Sequence, residues 1–270
     1  MSPDEPAPPG IDHATDARVF DWLAGGTDNY PPDNATGSAI LHIAPSAGAV
    51  VRNSQAFARR ATRALVRDCG VRRILDLGCG VPTQPYIHTV AQSSHPGTRV
   101  VHVDNDRLVL GQARMLLDQN EYTSVVAADI SDVDALTRIP DIADLLDEGP
   151  VAVLATAVLN CLRCPATFMR DLVGRLPSGS YVVVSVLVSD RPDVRHAITD
   201  AMLAGTGGAW GRVATSDEAA ALLSGLDVLP PGPGDVAAWR TDDIGPYRTG
   251  HQGGWEVHMY GGVARVPCSV

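Results

Sequence analysis

The chain has 270 residues, 45% of them hydrophobic and 5% aromatic, and a formal net charge of −10. That is ample for a large core of Val, Leu, Ile and Ala, and too acidic for a general binder of nucleic acid or anionic membrane. All 21 Lys-plus-Arg positions are Arg, and the absence of lysine excludes Schiff-base chemistry, a lysine-anchored pyridoxal phosphate and a Walker P-loop.

The first ten residues, MSPDEPAPPG, are proline-rich and have neither a basic start nor an apolar run. Residues 1–14 are therefore expected to be a disordered tail, not a signal peptide. A short helix is expected over 15–24, ended by Gly25-Gly26. The stretch after it, with Asp28, Asn29, Tyr30 and two prolines, reads as a rigid polar loop. Asn53 or Ser54 then caps a helix running to Gly70, with Ala56, Phe57, Ala61, Ala64 and Leu65 on one face. Arg52, Arg59, Arg60, Arg63, Arg67, Arg72 and Arg73 read as its solvated side.

From residue 72 a rhythm begins. RRILDLG, TRVVHVD, TSVVAAD, PVAVLATAVLN and YVVVSVLV are apolar strands. Between them PYIHTVAQ, RLVLGQARMLLDQ, DVDALTRIPDIADLLD and PATFMRDLVGRL carry helical patterns. Strand and helix in alternation, with nearly continuous apolar strands, predict a parallel sheet covered on both faces. The tail is less regular. It holds a glycine-rich stretch at 204–211, a capped helix in SDEAAALLSG, and a strand and loop in LDVLPPGPGDVAAW. WEVHMYGGVARV predicts a strand pair, or one strand broken at Gly261-Gly262. No repeat or linker divides the chain, so 15–270 is expected to be one domain. Five cysteines without a signal peptide predict a reduced, cytoplasmic protein. Cys161-x-x-Cys164 lacks a second pair, so no metal site is expected. No apolar run is long enough to span a bilayer.

In open parallel sheets, ligands bind beyond the carboxyl ends of the strands. Here the first strand ends in LDLGCGVPT, with Asp76, Gly78 and Gly80. The third glycine of a dinucleotide fingerprint would fall at 83, which is Thr, and this weakens the case for NAD. Asp104 ends the second strand, where a carboxylate accepts both hydroxyls of a ribose. Asp129 and Ile130 end the third, suited to an adenine amino group and ring. Three acids at successive strand ends, with no third phosphate-binding glycine, favour an adenosine without phosphates.

This constellation resembles the class I S-adenosylmethionine-dependent methyltransferases. ARVFDWLAGGTDNYPPD, ILDLGCGVPTQPYIHTVAQ, RVVHVDNDRLVLGQAR, LVGRLPSGSYVVVS, WRTDD and YGGVARV further resemble an actinobacterial S-adenosyl methyltransferase family once catalogued as a domain of unknown function. The resemblance implies a Rossmann-like α/β fold: a mostly parallel seven-stranded sheet, helices on both faces and an N-terminal helical lid. It divides the domain into a lid and helix (15–70), a cofactor core (71–190) and a substrate-side part (191–270). It implies S-adenosyl-L-methionine as cofactor. Asp76, Gly78, Cys79, Gly80, Pro82 and Thr83 would line its methionine and ribose side. Asp104 and Asn105 would hold the ribose, Asp129 and Ile130 the adenine, and Ala155 and Thr156 would flank the sulfonium. Gly25, Gly26, Asp28, Asn29 and Tyr30 would cover the site.

The chain departs from the family pattern on the substrate side. Thr27 stands where a Lys is usual, and Asn34 where an Arg is common. Asn160-Cys161 replaces a His-aromatic pair, and an expected His after the fifth strand is missing. The candidates for acid–base work are His13, His88, Tyr30 and His251, and Asn160 is a candidate for orienting the acceptor. The expected activity is methyl transfer to a small molecule in bacterial specialised metabolism, with no nucleic-acid or membrane partner and a homodimer left open. The alternatives are another displacement on the same cofactor, such as cyclisation releasing methylthioadenosine, or a non-catalytic adenosyl-ligand protein.

Overall fold

Three helices precede any strand: α1 (Asp16–Ala24), α2 (Pro31–Ile43) and α3 (Ala47–Asp68), in a computed structural model that describes residues 10–241 and 254–267. The expected polar loop is thus largely a helix. Its two prolines occupy the first helical positions, where a missing N–H costs nothing. The Asp33 carboxylate turns back to accept the Tyr30 N–H at 2.8 Å. Gly37 lets α2 press on α1, because a Cβ there would lie 2.3 Å from the Trp22 ring. α3 begins at Ala47, before the predicted cap. Asn53 and Ser54 lie inside it and are buried, and Ser54 Oγ meets Ser185 Oγ at 2.8 Å.

The expected alternation follows: β1 (Arg73–Leu77), α4 (Ile87–Ser94), β2 (Arg99–Asp104), α5 (Arg107–Leu116) and β3 (Thr123–Ala127). The predicted third helix is split at Pro140 into α6 (Val133–Leu136) and α7 (Pro140–Asp147). β4 (Ala152–Thr156) is shorter than predicted, because Ala157 takes a positive φ of 60° and a 3-10 turn covers Leu159–Cys161. Then come α8 (Pro165–Val173), β5 (Tyr181–Val188), and α9 (Pro192–Gly205), a helix the sequence pattern did not reveal. α10 (Ser216–Ala221), β6 (Asp227–Val228), β7 (Gly234–Asp235) and β8 (His258–Arg265) complete the described elements. His251, Cys268, residues 1–9 and the end of the WRTDD motif lie outside the described residues.

Among the described residues the sheet has eight strands, in the order β3-β2-β1-β4-β5-β8-β6 with β7 also on β8. It exceeds the expected seven because β6 and β7 are separate two-residue strands. β1 to β5 are parallel, and β8 runs antiparallel to β5. Side chains alternate across it. Ile74, Val100, Leu154 and Val183 pack under α1, α2, α3 and α9. Leu75, Val101, Val153 and Val182 pack under α6, α7 and α8.

β8 is one continuous strand through both glycines. A Cβ on Gly261 would lie 1.8 Å from the Val184 carbonyl oxygen of β5, a backbone contact that cannot yield. Gly261→Ala is expected to cost about 1–3 kcal/mol or more; an unchanged denaturant midpoint would refute the close packing.

Residues 10–14, assigned to the tail on sequence, are held against the domain. Ala14 is buried and donates its N–H to the Gly205 carbonyl at 3.0 Å. Among the described residues, no helix is long and apolar enough to cross a membrane.

Candidate functional site

The order of the sheet reverses between β1 and β4, and a cavity of about 1570 Å³ opens at the carboxyl ends of these strands. Its walls include Asp76, Gly78, Cys79, Gly80, Pro82, Thr83, Asp104, Asn105, Asp129, Ile130 and Thr156. Eleven residues singled out from sequence thus come together from four strand ends.

Gly78 and Gly80 both have φ of +64°, which only glycine adopts without strain. A Cβ on Gly78 would lie 2.4 Å from Val158, so the loop passes tightly under the end of β4. Asp104 fixes the loop: its Oδ2 accepts the Gly80 N–H at 2.9 Å, and its Oδ1 accepts those of Asn105 (2.8 Å) and Asp106 (2.9 Å). Burial pushes the Asp104 carboxyl up to about 6, with these N–H donors working against the rise and Asp16 adding to it. Asp76 is buried beside it and accepts from His102 Nδ1 at 2.9 Å. Asp129 accepts the Ser131 N–H at 2.8 Å, and Ile130 is buried.

Helix α1 supplies the cover. Thr15 and the α1 residues Asp16, Ala17, Phe20 and Asp21 line the cavity, and Thr15 Oγ1 donates to Asp106 Oδ2 at 2.7 Å. Arg18, on the same helix, is 1% exposed and lies 3.3 Å from Asp33 and 3.8 Å from Asp106. The cover is therefore a helix tied to the end of β2, and the loop after it stands behind. Gly26, Asn29 and Tyr30 are not among the lining residues. Asn29 Nδ2 instead donates to Asp21 Oδ2 at 2.9 Å, and the Arg18 guanidinium sits 5.5 Å from the centre of the Tyr30 ring. A Cβ on Gly26 would strike the Asp21 carboxylate, which explains the glycine without a ligand. Ala155 is 2% exposed and packs in the core. Thr27 and Asn34 do not line the cavity either.

Asn160 is not placed to orient an acceptor. It is 3% exposed, its Nδ2 donates to the carbonyls of Leu187 (3.0 Å) and Arg212 (2.8 Å), and its Oδ1 accepts the Leu187 N–H at 2.8 Å. A side chain so fully used is a fastener between the end of β4 and the chain after α9. Asn160→Ala leaves the buried Leu187 N–H without its acceptor, while the Leu187 carbonyl keeps the Ala214 N–H, and should cost about 1–3 kcal/mol of stability. A melting temperature equal to the parent's would contradict this role.

The histidine candidates fare no better. His13 is exposed and outside the cavity, and His88 is buried behind it, pushed down to about 4 by burial and by His102. The basic-face reading holds only in part. Arg60 is 7% exposed and donates to the Trp239 carbonyl at 2.8 Å. Arg59 holds the Thr83 and Pro85 carbonyls, each at 2.9 Å, and lines the cavity. Their spacing on α3 gave no warning, since the partners come from distant segments.

Sequence reasoning missed Asp16, Phe20, Ser54, Arg59, Asp106 and Trp210, which line the cavity together with Cys161, a position the family pattern had put on the substrate side. The family description "S-adenosyl methyltransferase" matches residues 5–267 of the chain. A solved structure of a DUF574 family protein from Streptomyces avermitilis is 32% identical, with a TM-score of 0.83, covering 95% of this chain and 99% of its own. A Thermobifida fusca protein described as a candidate methyltransferase is 29% identical, with a TM-score of 0.80, covering 97% and 99%. Human N-acetylserotonin methyltransferase, solved with S-adenosylmethionine, shares the fold at 13% identity and a TM-score of 0.50, over 94% of this chain and 61% of its own. No curated protein sequence matches the chain.

Proposed function

Since the chain belongs to the S-adenosyl methyltransferase family, we propose that it moves the methyl group of S-adenosylmethionine to a small organic molecule in bacterial specialised metabolism. The residues present fit this cofactor. A side chain at Gly78 would strike Val158, the positive φ of Gly78 and Gly80 turns the backbone toward the cavity, and the buried Asp104 carboxylate offers the acceptor a ribose would need. Asp104 and Asn105 would hold the ribose, Asp129 and Ile130 the adenine, and the loop from Asp76 to Thr83 the methionine end. When bound, the cofactor supplies an electrophilic methyl on a positive sulfur.

The protein's own part is alignment and exclusion of water. In-line displacement needs the nucleophile about 3 Å from the methyl carbon, and holding it there can supply roughly 7–11 kcal/mol. Thr156 and Ala157 border the cavity at the end of β4, and Ala17 and Phe20 close it from α1.

One observation carries the small-molecule reading. The cavity of about 1570 Å³ continues past Thr156 to Phe168, Cys161 and Trp210. It exceeds the roughly 300–1,000 Å³ of an ordinary ligand pocket, which leaves room for a second compound beside the cofactor. The net charge of −10 argues against nucleic acid as that second compound. The free thiols Cys69, Cys79, Cys161 and Cys164 accord with a cytoplasmic location.

The test is to incubate the protein with S-adenosylmethionine and candidate acceptors and identify the adenosyl product by mass spectrometry. S-adenosylhomocysteine is expected. Methylthioadenosine would replace this reading with displacement at the aminocarboxypropyl chain.

A further inference from the structure

One carboxylate at the acceptor end of the cavity has an oxygen to spare. Asp16, in the first turn of α1, lines the cavity and is partly exposed there. Its Oδ2 accepts the Cys161 thiol at 2.9 Å, and that sulfur in turn accepts the Nε1–H of Trp210, which is 4% exposed. Burial and Asp16 push the Cys161 thiol well above its ordinary range, so it stays protonated as the donor. This chain of three is firmly seated. Gly211 and Arg212 donate their N–H groups to the Asn160 carbonyl at 3.0 and 3.1 Å, and a Cβ on Gly211 would lie 2.5 Å from the carbonyl oxygens of Asn160 and Leu162. Asp16 Oδ1 meets no described donor, and no described cation pairs with Asp16.

The surrounding walls offer neither a buried counter-charge nor a free base. Of the described lining cations, Arg59 is spent on the Thr83 and Pro85 carbonyls, Arg170 on Asp171 and Arg175 on Asp134. Arg107 and Arg163 are exposed, where water and salt screen their charge. Asp104 lies on the same side as Asp16 and feels its charge. The imidazole among the described lining residues is His102, which is 1% exposed and tied through Nδ1 to Asp76. A hydroxyl or thiol acceptor needs a base to become a good nucleophile, and the resulting anion would stand beside two carboxylates. An amine brings its own lone pair. Its product is a cation, which a fixed carboxylate stabilises as the charge forms on nitrogen.

Resting on the methyl-transfer reading above, we propose that Asp16 is the substrate-binding carboxylate of the acceptor end and that the acceptor is an amine with an apolar body. The nitrogen donates its N–H to Asp16 Oδ1, and the body lies toward Phe168 and Trp210. An amine that arrives protonated first gives one proton to water. Its lone pair then forms the new N–C bond as the methyl C–S bond breaks, with that bond's electron pair left on sulfur. The N-methylammonium product stays paired with Asp16 until it leaves.

The probes are phenethylamine, phenethyl alcohol and phenylacetate, added to the full chain saturated with S-adenosylhomocysteine, with affinities read by ligand-observed NMR. They share an aromatic body and differ in the charge at its end. Phenethylamine should bind about tenfold or more tightly than the other two, the margin of a charge-assisted hydrogen bond. Asp16→Asn should lose that preference while its melting temperature stays at the parent value. Equal binding of the three probes, no binding of phenethylamine, tighter binding of phenylacetate, or an Asp16→Asn variant that keeps the preference overturns the subsite. Calorimetry with both cofactor forms checks the rival places for Asp16. If Asp16→Asn weakens S-adenosylmethionine alone, the carboxylate serves the sulfonium; if it weakens S-adenosylhomocysteine equally, it serves the methionine ammonium; either result overturns the proposal. S-adenosylhomocysteine formed with hydroxyl or carboxylate acceptors but with no amine would sink the subsite and keep the transferase reading. Amine preference with only methylthioadenosine formed would do the reverse.

Discussion

Asp104→Ala should weaken S-adenosylmethionine binding by about tenfold to a hundredfold, read by calorimetry. A hydrogen bond to a charged group is worth roughly 1.5–3 kcal/mol, and about 1.4 kcal/mol is tenfold in affinity. The substitution also removes the acceptor of the Gly80 N–H and so loosens the glycine loop. The same carboxylate predicts a pH dependence. Its folded value of about 6 lies above the ordinary aspartate value of 3.8 because burial disfavours the charge. Between about pH 4 and 6 the free folded protein therefore holds a proton that the unfolded chain has released, and stability falls across that window as pH rises. The ribose hydroxyls favour the ionised form, so affinity should rise with pH up to about 6 and then level off. Asp104→Asn should flatten that rise. Parent-like affinity in Asp104→Ala, or a flat profile in the parent, would refute the ribose assignment.

Asp33→Ala should be the most damaging single change to the lid, at about 3–5 kcal/mol. Asp33 is 0% exposed, pairs with the buried Arg18, and accepts the N–H groups of Thr15 (3.0 Å) and Tyr30 (2.8 Å). Its loss takes the nearest carboxylate from the buried Arg18 guanidinium, leaving it the Gly10 and His13 carbonyls and Asp106 at 3.8 Å, and frees the first turns of α1 and α2 together. A chain of this length should melt lower by roughly 10 °C. Asp193→Ala, which breaks an exposed pair with Arg191, should leave the melting temperature near the parent's. Similar melting of both variants would show that the Arg18 cluster does not anchor the lid. The same variant should also bind cofactor less tightly, since Arg18 and Thr15 reach Asp106 beside the ribose acid.

The two residues differ in how far the sequence announced them. Asp104 stands at the end of an apolar run, after a glycine loop and before a helix, and each of these is a local signal. Asp33 was hidden inside what read as a loop, because two prolines and a weak apolar stripe conceal a helix whose stability comes from Arg18 and Trp22. α9 was hidden in the same way: no strand rhythm frames it, and its contacts fall largely on α2, a helix also not foreseen.

By itself the sequence determined the parallel sheet, the chain order of its strands, and the acids and glycines at their carboxyl ends. Those features repeat at short range, where backbone geometry and side-chain period leave little freedom. Only the tertiary structure decided which face of the lid meets the cavity, that Asn160 is spent on Leu187 and Arg212, and that Asp16, Cys161 and Trp210 meet. These residues are separated by 145 and 49 positions along the chain (161 − 16 and 210 − 161). Their meeting depends on how α1 docks over the end of β4, which is fixed by buried pairs between distant segments and not by any local pattern.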